Sequence, residues 1–547
     1  MRGRRGTVPW CVHAASAALV ALSGVSASGQ IPGFKIVEIP LLPAGIYAEA
    51  LGVNARGQIV GRCFIEDAQA YSGFVYDVST MASPVDLGTL GPSDAHGAWA
   101  INNDRFVAAT ADAGGGQNAA LLINSNQART PIAGRVRFGP SGGAEARAIN
   151  NAGTIVGSAT FDCSFSQSAL FGCGWGAGGA LATPYVSSAA FCADTRALSI
   201  NDAAFLVGWT NVNTGTVEEP VLLQRPVLVD TVLRSQTALP TFSSTLEMGI
   251  ANAIGNTGII CGIAQDATDA NRIHPIAWVG GTPVKLQSLG GGYVEGSEAL
   301  SVNAAGTVVG RSGQGASSDA VVWVNAQPTA YALATLTSPP QDAHPAGWRL
   351  LSANAVSDIG LIVGKGYAPG DTSGNSKGYV AVPCEPVPIQ VPETRTTCLQ
   401  GNVPLRVTAI GAGTLTYQWR RNGTPLSDGT TGTGSLIAGS TTANMIVSGF
   451  GYADEGEYDA IVTGDCGTTT TVKATVTICA SDLNCDNVIN DGDFSVFAPA
   501  YDLLDCLDPA MPVGCPSDIN RDGFVDDLDF TLFVQAYEIL LCGGAVQ

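Results

Sequence analysis

A chain of 547 residues with 13% charged side chains and 68 glycines is too long for one ordinary core and too poor in helix-favouring runs for an all-α protein. The formal net charge is −20 and no basic patch interrupts it, which excludes nucleic acid as a natural partner. Small, β-branched and turn residues dominate, so the expected fold class is mainly β, and the alternating apolar segments exclude wholesale disorder.

The N-terminus reads as a secretory signal over residues 1–27. Arg2, Arg4 and Arg5 form the basic start, Ala14 to Leu22 the apolar centre, and Val25-Ser26-Ala27 the small-residue cleavage site. A membrane anchor needs about 20 apolar residues, and this segment is too short and too rich in Ser and Gly. No other segment is apolar enough to span a bilayer, so the mature chain is expected to be exported, secreted or held at the cell surface. Its 14 cysteines suit an oxidising compartment. Five lie between Cys63 and Cys261, and eight follow residue 380, where smaller domains need covalent staples. Their spacing matches neither a zinc ribbon nor a redox CxxC, so structural disulfides are expected.

Over residues 34–382 one unit recurs seven times, its copies starting 48 to 54 residues apart. The clearest copy is Ala148-Ile149-Asn150-Asn151-Ala152-Gly153-Thr154-Ile155-Val156-Gly157, with close relatives at Val53-Asn54-Ala55-Arg56-Gly57-Gln58-Ile59-Val60-Gly61 and Val302-Asn303-Ala304-Ala305-Gly306-Thr307-Val308-Val309-Gly310. Weaker copies start at Ile101, Ile200, Ile254 and Val356. Asn-x-x-Gly is a turn, because both residues tolerate positive φ, and the flanking apolar residues alternate as in half-buried strands. A third strand follows, such as Pro275 to Val279 or Ala320 to Val324, and often a fourth, such as Val85 to Gly91 or Lys285 to Gly290. Four strands in about 50 residues is the size of a propeller blade, which predicts a seven-bladed β-propeller. Phe34 to Leu41 is an orphan strand suited to complete the last blade after Gly378 to Val382. The competing architecture is an open β-solenoid.

These motifs resemble the extracellular HAF repeat of bacterial secreted proteins. The naming His-Ala-Phe triplet is reduced to His274-Pro275-Ile276, and the second copy departs with Arg105 and Ala109 in place of glycines. The resemblance implies an exported β-repeat protein and says nothing of a ligand.

Over residues 386–479 the pattern changes. Leu415 to Gly423 looks like the third strand of an immunoglobulin-like β-sandwich with Trp419 in its core, and Asp454-Glu455-Gly456-Glu457-Tyr458 like its tyrosine corner. Ala460 stands where that fold usually places a cysteine. Cys398 and Cys466 are the substitute pair this suggests, with Cys384 and Cys479 bracketing the domain, although four cysteines allow three connectivities.

Residues 480–543 hold thirteen acidic side chains and one basic, Arg521. Asp482, Asn484, Asp486, Val488, Asn490 and Asp493 occupy positions 1, 3, 5, 7, 9 and 12 of a twelve-residue loop, and Asp518, Asn520, Asp522, Phe524, Asp526 and Asp529 do so 36 residues later. Calcium is a hard cation that takes six to eight oxygens, and carboxylates and amides at alternate positions of a turn supply them. Val488 and Phe524 are expected to contribute backbone carbonyls. Position 6, Asn487 or Gly523, must turn sharply, and position 8, Ile489 or Val525, is apolar. Phe494, Phe497, Tyr501 and Leu504, matched by Phe530, Phe533, Tyr537 and Leu540, give each loop a helix with an apolar face. The ligand pattern predicts two bound Ca2+ ions. Aspartate at position 12 and the lack of a helix before the first loop resemble a dockerin, a small α-helical EF-hand module. That resemblance implies docking to a cohesin domain on another protein or at the cell surface.

No catalytic centre is legible. Gly139-Pro140-Ser141-Gly142-Gly143 matches a nucleophile motif but lies in a glycine-rich loop with no helix after it. His96, His274 and His344 sit in unlike contexts, and no phosphate-cradling loop occurs. The reading is a non-catalytic binding or attachment protein. The alternatives are a polysaccharide-degrading enzyme using paired carboxylates in the repeat region, and a purely structural cell-envelope protein.

Overall fold

A computed structural model describes residues 33–539, apart from residues 116, 133–142, 165–166, 176–182, 185–193, 216–220, 244–246, 338–346, 466 and 513. The expected signal, Gly139 to Gly142 and His344 lie outside the described residues.

Each repeat turn joins two antiparallel strands, and each unit adds two more. Among the described residues this gives seven four-stranded antiparallel sheets. The first runs Gly45–Val53, Gln58–Ile65, Ala70–Asp77 and Val85–Gly91. The last joins Arg349–Val356, Ile362–Tyr367 and Lys377–Pro383 to Phe34–Glu38, which pairs antiparallel with Phe34 opposite Pro383.

The expected seven-bladed propeller is corrected by this topology. The chain is mainly β, but its sheets are many, small and separate, and none is closed on itself. Strand pairing stops at the edges of each four-strand set. Between sets the contacts are side-chain packing, single hydrogen bonds and ion pairs such as Lys365 with Glu49. The core therefore sits between successive sheets. Trp278 and Trp323 are fully buried there, their indole N–H groups donating to Pro240 O at 2.6 Å and Gln287 O at 2.9 Å.

The asparagine of the repeat has two tasks. In Asn150 the side-chain oxygen accepts the Thr154 amide at 2.8 Å, closing its own turn, and the side-chain NH2 donates to Asn201 O of the next unit at 3.1 Å. Asn54, Asn102, Asn201 and Asn303 repeat both bonds, the donated ones reaching Asn102 O, Asn150 O, Gly255 O and Ser357 O. Aspartate has no N–H to donate, so it cannot replace Asn here. The turns of all seven units line one cavity of about 150 Å³.

The left-handed turn residue is the glycine, as at Gly153 with φ +79°. In the second copy Arg105 holds φ +65°, a conformation that costs a non-glycine residue about 1–2 kcal/mol. Arg105→Gly is expected to stabilise the repeat region by about 0.5–1 kcal/mol after glycine's extra chain entropy is subtracted. Chemical denaturation checks this, and a destabilised variant would contradict it.

The first strand of every sheet carries a β-bulge at one equivalent place, leaving Leu51, Trp99, Arg147, Leu198, Asn252, Leu300 and Asn354 unpaired in the ladder. The bulge explains the closing glycine. A Cβ on Gly157 would meet the Glu145 carbonyl oxygen at 1.9 Å, and the same clash recurs at Gly310 with Glu298.

The next segment is an immunoglobulin-like sandwich. One sheet centres on Ala474–Ile478, Gly456–Gly464 and Thr416–Arg421, and the other on Asn402–Arg406, Asn444–Ser448 and Leu436–Ala438. Trp419 is fully buried between them and donates to Thr442 O at 2.8 Å. The Tyr458 hydroxyl donates to Asp454 O at 2.6 Å, forming the expected corner. Ala460 lies opposite Trp419 in the ladder and is fully buried, so the usual cysteine site is filled by a methyl group. Ile410 of this segment joins the core of the first and last sheets, with Ile59, Val78, Leu361 and Val382.

The suggested Cys398–Cys466 bridge is also corrected. Cys398 is bonded to Cys485, 87 residues on, inside the first acidic loop. Cys466 lies outside the described residues. The sequence offered a partner within the sandwich because it did not show that the acidic loop packs against it.

Candidate metal centre

The two acidic loops end in helices α1 (Asp491–Leu503) and α2 (Asp527–Ile539). Each helix begins where a polar side chain can take its free N–H groups. Asn490 Oδ1 accepts the Gly492 amide at 2.6 Å, and Asp526 Oδ1 accepts the Leu528 amide at 2.8 Å. The position-12 aspartates complete the caps, with Asp493 Oδ2 accepting from Asn490 N and Asp529 Oδ2 from Asp526 N.

These aspartates are fully buried and also tie down the start of each loop. Asp493 Oδ1 accepts the amides of Leu483 at 2.7 Å and Asn484 at 3.1 Å, and Asp529 Oδ1 accepts Asn520 N at 2.8 Å. Asp482 accepts from the amides of Asp486 and Asn487, and Asp518 from those of Arg521, Asp522 and Gly523. Asn484 and Asn520 each donate to the carboxylate two residues on, Asp486 and Asp522, at 3.0 Å. The two loops thus share one scheme of bonds.

That scheme brings three carboxylates together in each loop. Ligand atoms of Asp482, Asp486 and Asp493 lie within 4.8 Å of one another, as do those of Asp518, Asp522 and Asp529. Val488 and Phe524 keep exposed side chains, which suits a part played by their carbonyls. Asn487 (φ +67°) and Gly523 (φ +94°) make the turn at position 6, with Cys485 (φ +64°) and Arg521 (φ +67°) left-handed at position 4. Burial pushes the Asp482 carboxyl above the ordinary range; the Asn487 amide opposes this, and Asp493 and Asp486 add to the rise. Like charges gathered this closely call for a cation. Arg521 is occupied elsewhere, its guanidinium 3.3 Å from the Tyr452 ring centroid on the sandwich. The donor set, all oxygen with no imidazole, suits a hard divalent ion of calcium's size. Cys506 and Cys515 approach Asp518 but are bonded to each other, so they offer no thiolate.

Ile489 and Val525 are fully buried in one cluster with Phe497 and Phe533, whose rings stack 5.1 Å apart. The backbone of Val525 pairs with Leu504 O at 2.8 Å. Phe494, Phe530 and Leu504 are exposed rather than core, and Leu540 lies outside the described residues. A reciprocal pair of bonds was missed in the sequence. Tyr501 donates to Asp527 of the other helix, and Tyr537 to Asp491 at 2.6 Å. The signal was present, since both copies carry Asp at loop position 10 and Tyr ten residues later.

Of the other candidates, His96 Nε2 lies 3.2 Å from Asn118 Oδ1 in the second sheet, and His274 Nε2 lies 2.9 Å from Asp269 in the fifth. Among the described residues no helix is long and apolar enough to cross a membrane.

No family model matches the chain, and no curated protein matches it. Solved structures similar to it include the N-terminal Ig1-2 module of Drosophila receptor protein tyrosine phosphatase DLAR, at 18% identity over 22% of this chain and 63% of that one, TM-score 0.16. Titin M4 is another, at 17% identity over 17% of this chain and 94% of that one, TM-score 0.15. This chain spans less than two thirds of the DLAR module. At such TM-scores neither likeness carries an argument about the fold of this chain. The HAF and dockerin resemblances rest on the motifs alone. An immunoglobulin-like segment in a mainly β chain, together with the Cys398–Cys485 and Cys506–Cys515 disulfides, is consistent with an extracellular protein.

Proposed function

We propose that this is an exported, non-catalytic attachment protein. Its C-terminal module binds two calcium ions and, as the dockerin resemblance implies, docks the repeat region to a cohesin-bearing partner. The observation that carries the reading is the duplicated carboxylate triad, Asp482/Asp486/Asp493 and Asp518/Asp522/Asp529, set at the N-terminus of two helices by one scheme of bonds. Asn484, Asn490, Asn520 and Asp526 and the Val488 and Phe524 carbonyls would complete the two ligand sets. Bound calcium supplies the charge that lets each loop close around three ionised carboxylates. Position-12 aspartates hold loop to helix, so loading the ion also orders the helix pair that a partner would meet.

The full chain, passed over an immobilised cohesin domain, is expected to be retained with calcium and released by chelator. Equal behaviour with calcium and with chelator would remove the docking role while leaving ion binding to its own test.

A further inference from the structure

The repeat region carries a second concentration of charge, of different character from the tail. It follows the bulged strands across five sheets. Lys365 Nζ lies 3.1 Å from Glu49, and Arg62 lies 2.9 Å from the same carboxylate. The Arg62 guanidinium is 5.8 Å from the Trp99 ring centroid, and that of Arg147 is 4.1 Å from it on the far side in sequence. Arg147, at 3.3 Å, and Arg196, at 2.5 Å, then converge on one Glu145 oxygen. Exposed Asp94 approaches Arg62 at 3.7 Å, so four cations face three carboxylates. In a chain with net charge −20 this is a local excess of positive charge.

Two features mark the Trp99 end as built to receive a group. Trp99 and Arg147 are the bulged residues of adjacent sheets, and a bulge re-aims its side chain out of the ladder. The Trp99 indole N–H is buried and has no acceptor among the described residues. A buried donor left unmade is costly, and such groups are rare unless something fills them. Arg147 and Arg196 each make one hydrogen bond among the described residues, both to Glu145, so the other N–H groups of each planar fork have no acceptor among those residues. Asn118 binds the other Glu145 oxygen at 3.0 Å and adds an amide beside the same corner. Burial opposes ionisation of Glu145, but Arg147 and Arg196 outweigh it and hold the carboxyl below its ordinary range, so Glu145 is ionised at neutral pH.

We propose that the Trp99–Arg147–Arg196 corner is a binding site for an anionic carbohydrate. Its carboxylate or sulfate accepts from the Trp99 N–H and the open guanidinium forks, and its hydroxyls meet Asn118 and Glu145. The site stands apart from the calcium module and does not rest on the docking reading. Calorimetric titration of the full chain in calcium buffer tests it with three probes: trigalacturonate, a sulfated trisaccharide and neutral maltotriose. One anionic probe is expected to bind and maltotriose is not, and which probe binds identifies the oxyanion. Trp99→Phe keeps the ring and removes the N–H, and is expected to weaken binding at least tenfold, as is Arg147→Met. Glu145→Gln frees both guanidiniums and is expected to tighten binding severalfold, a gain that a merely structural role would not give. Failure of both anionic probes to bind the wild type overturns the proposal, as does unchanged affinity in correctly folded Trp99→Phe and Arg147→Met.

Discussion

Replacing Asp493 with Asn is expected to remove one of two bound calcium ions, Asp529→Asn the other, and the double variant both. Each carboxylate combines two tasks that an amide cannot share. Asp493 accepts three backbone N–H groups through its two oxygens, and Asp529 accepts on both of its own. Asparagine offers one acceptor, so its NH2 would face a buried donor. That leaves an unmade hydrogen bond costing about 1–3 kcal/mol even without metal. Losing the ion adds about 2.7 kcal/mol when free calcium stands at a hundred times its dissociation constant. Thermal unfolding of the tail with and without chelator checks both parts. The wild type should lose stability on chelation, the single variants less, and the double variant almost nothing. Equal chelator sensitivity in all four proteins would contradict the ligand assignment.

The second large effect is expected at the covalent joint between sandwich and loop. Cys398→Ser with Cys485→Ser opens a bridge spanning 87 residues, and removing such a link costs a small domain about 2–5 kcal/mol. Cys485 is loop position 4, held left-handed at φ +64°, so the bridge also fixes the first loop in its binding shape. The second loop has a non-covalent counterpart at the same position, Arg521 against Tyr452. The double Ser variant is therefore expected to bind calcium several-fold more weakly in the first loop and normally in the second, with a lower unfolding midpoint for the sandwich. Titration and thermal denaturation of the non-reduced proteins read both effects. A variant whose sandwich and first loop behave as wild type would show the bridge to be incidental.

The acidic loops were legible because their pattern is local. Ligands at alternate positions of twelve residues, followed by a helix-period apolar face, need no tertiary knowledge to be read. What the sequence hid was long-range. Cys485 looks like a loop residue until the fold brings Cys398 beside it, and Ala460 only says which disulfide is absent. The repeats were legible as strands and turns, and the Phe34–Glu38 strand does pair with Lys377–Pro383. Strand count and spacing suggested a propeller, but pairing stays within small open sheets. Asparagine was read as a turn former, whereas its larger part is the amide donated to the next unit, a contact about 50 residues away. The bulges left no mark in the periodicity, because one unpaired residue shifts a strand's alternation within an already short run. Nothing in the sequence pattern therefore singled out Trp99 or Arg147.

The central claim is that the tail binds two calcium ions through the two aspartate triads. Calorimetric titration of the chelator-stripped full chain with calcium tests it most directly. The expected result is two ions per chain, falling to one in Asp493→Asn or Asp529→Asn. Absence of saturable binding in the wild type, or two ions still bound in the double variant, would contradict it.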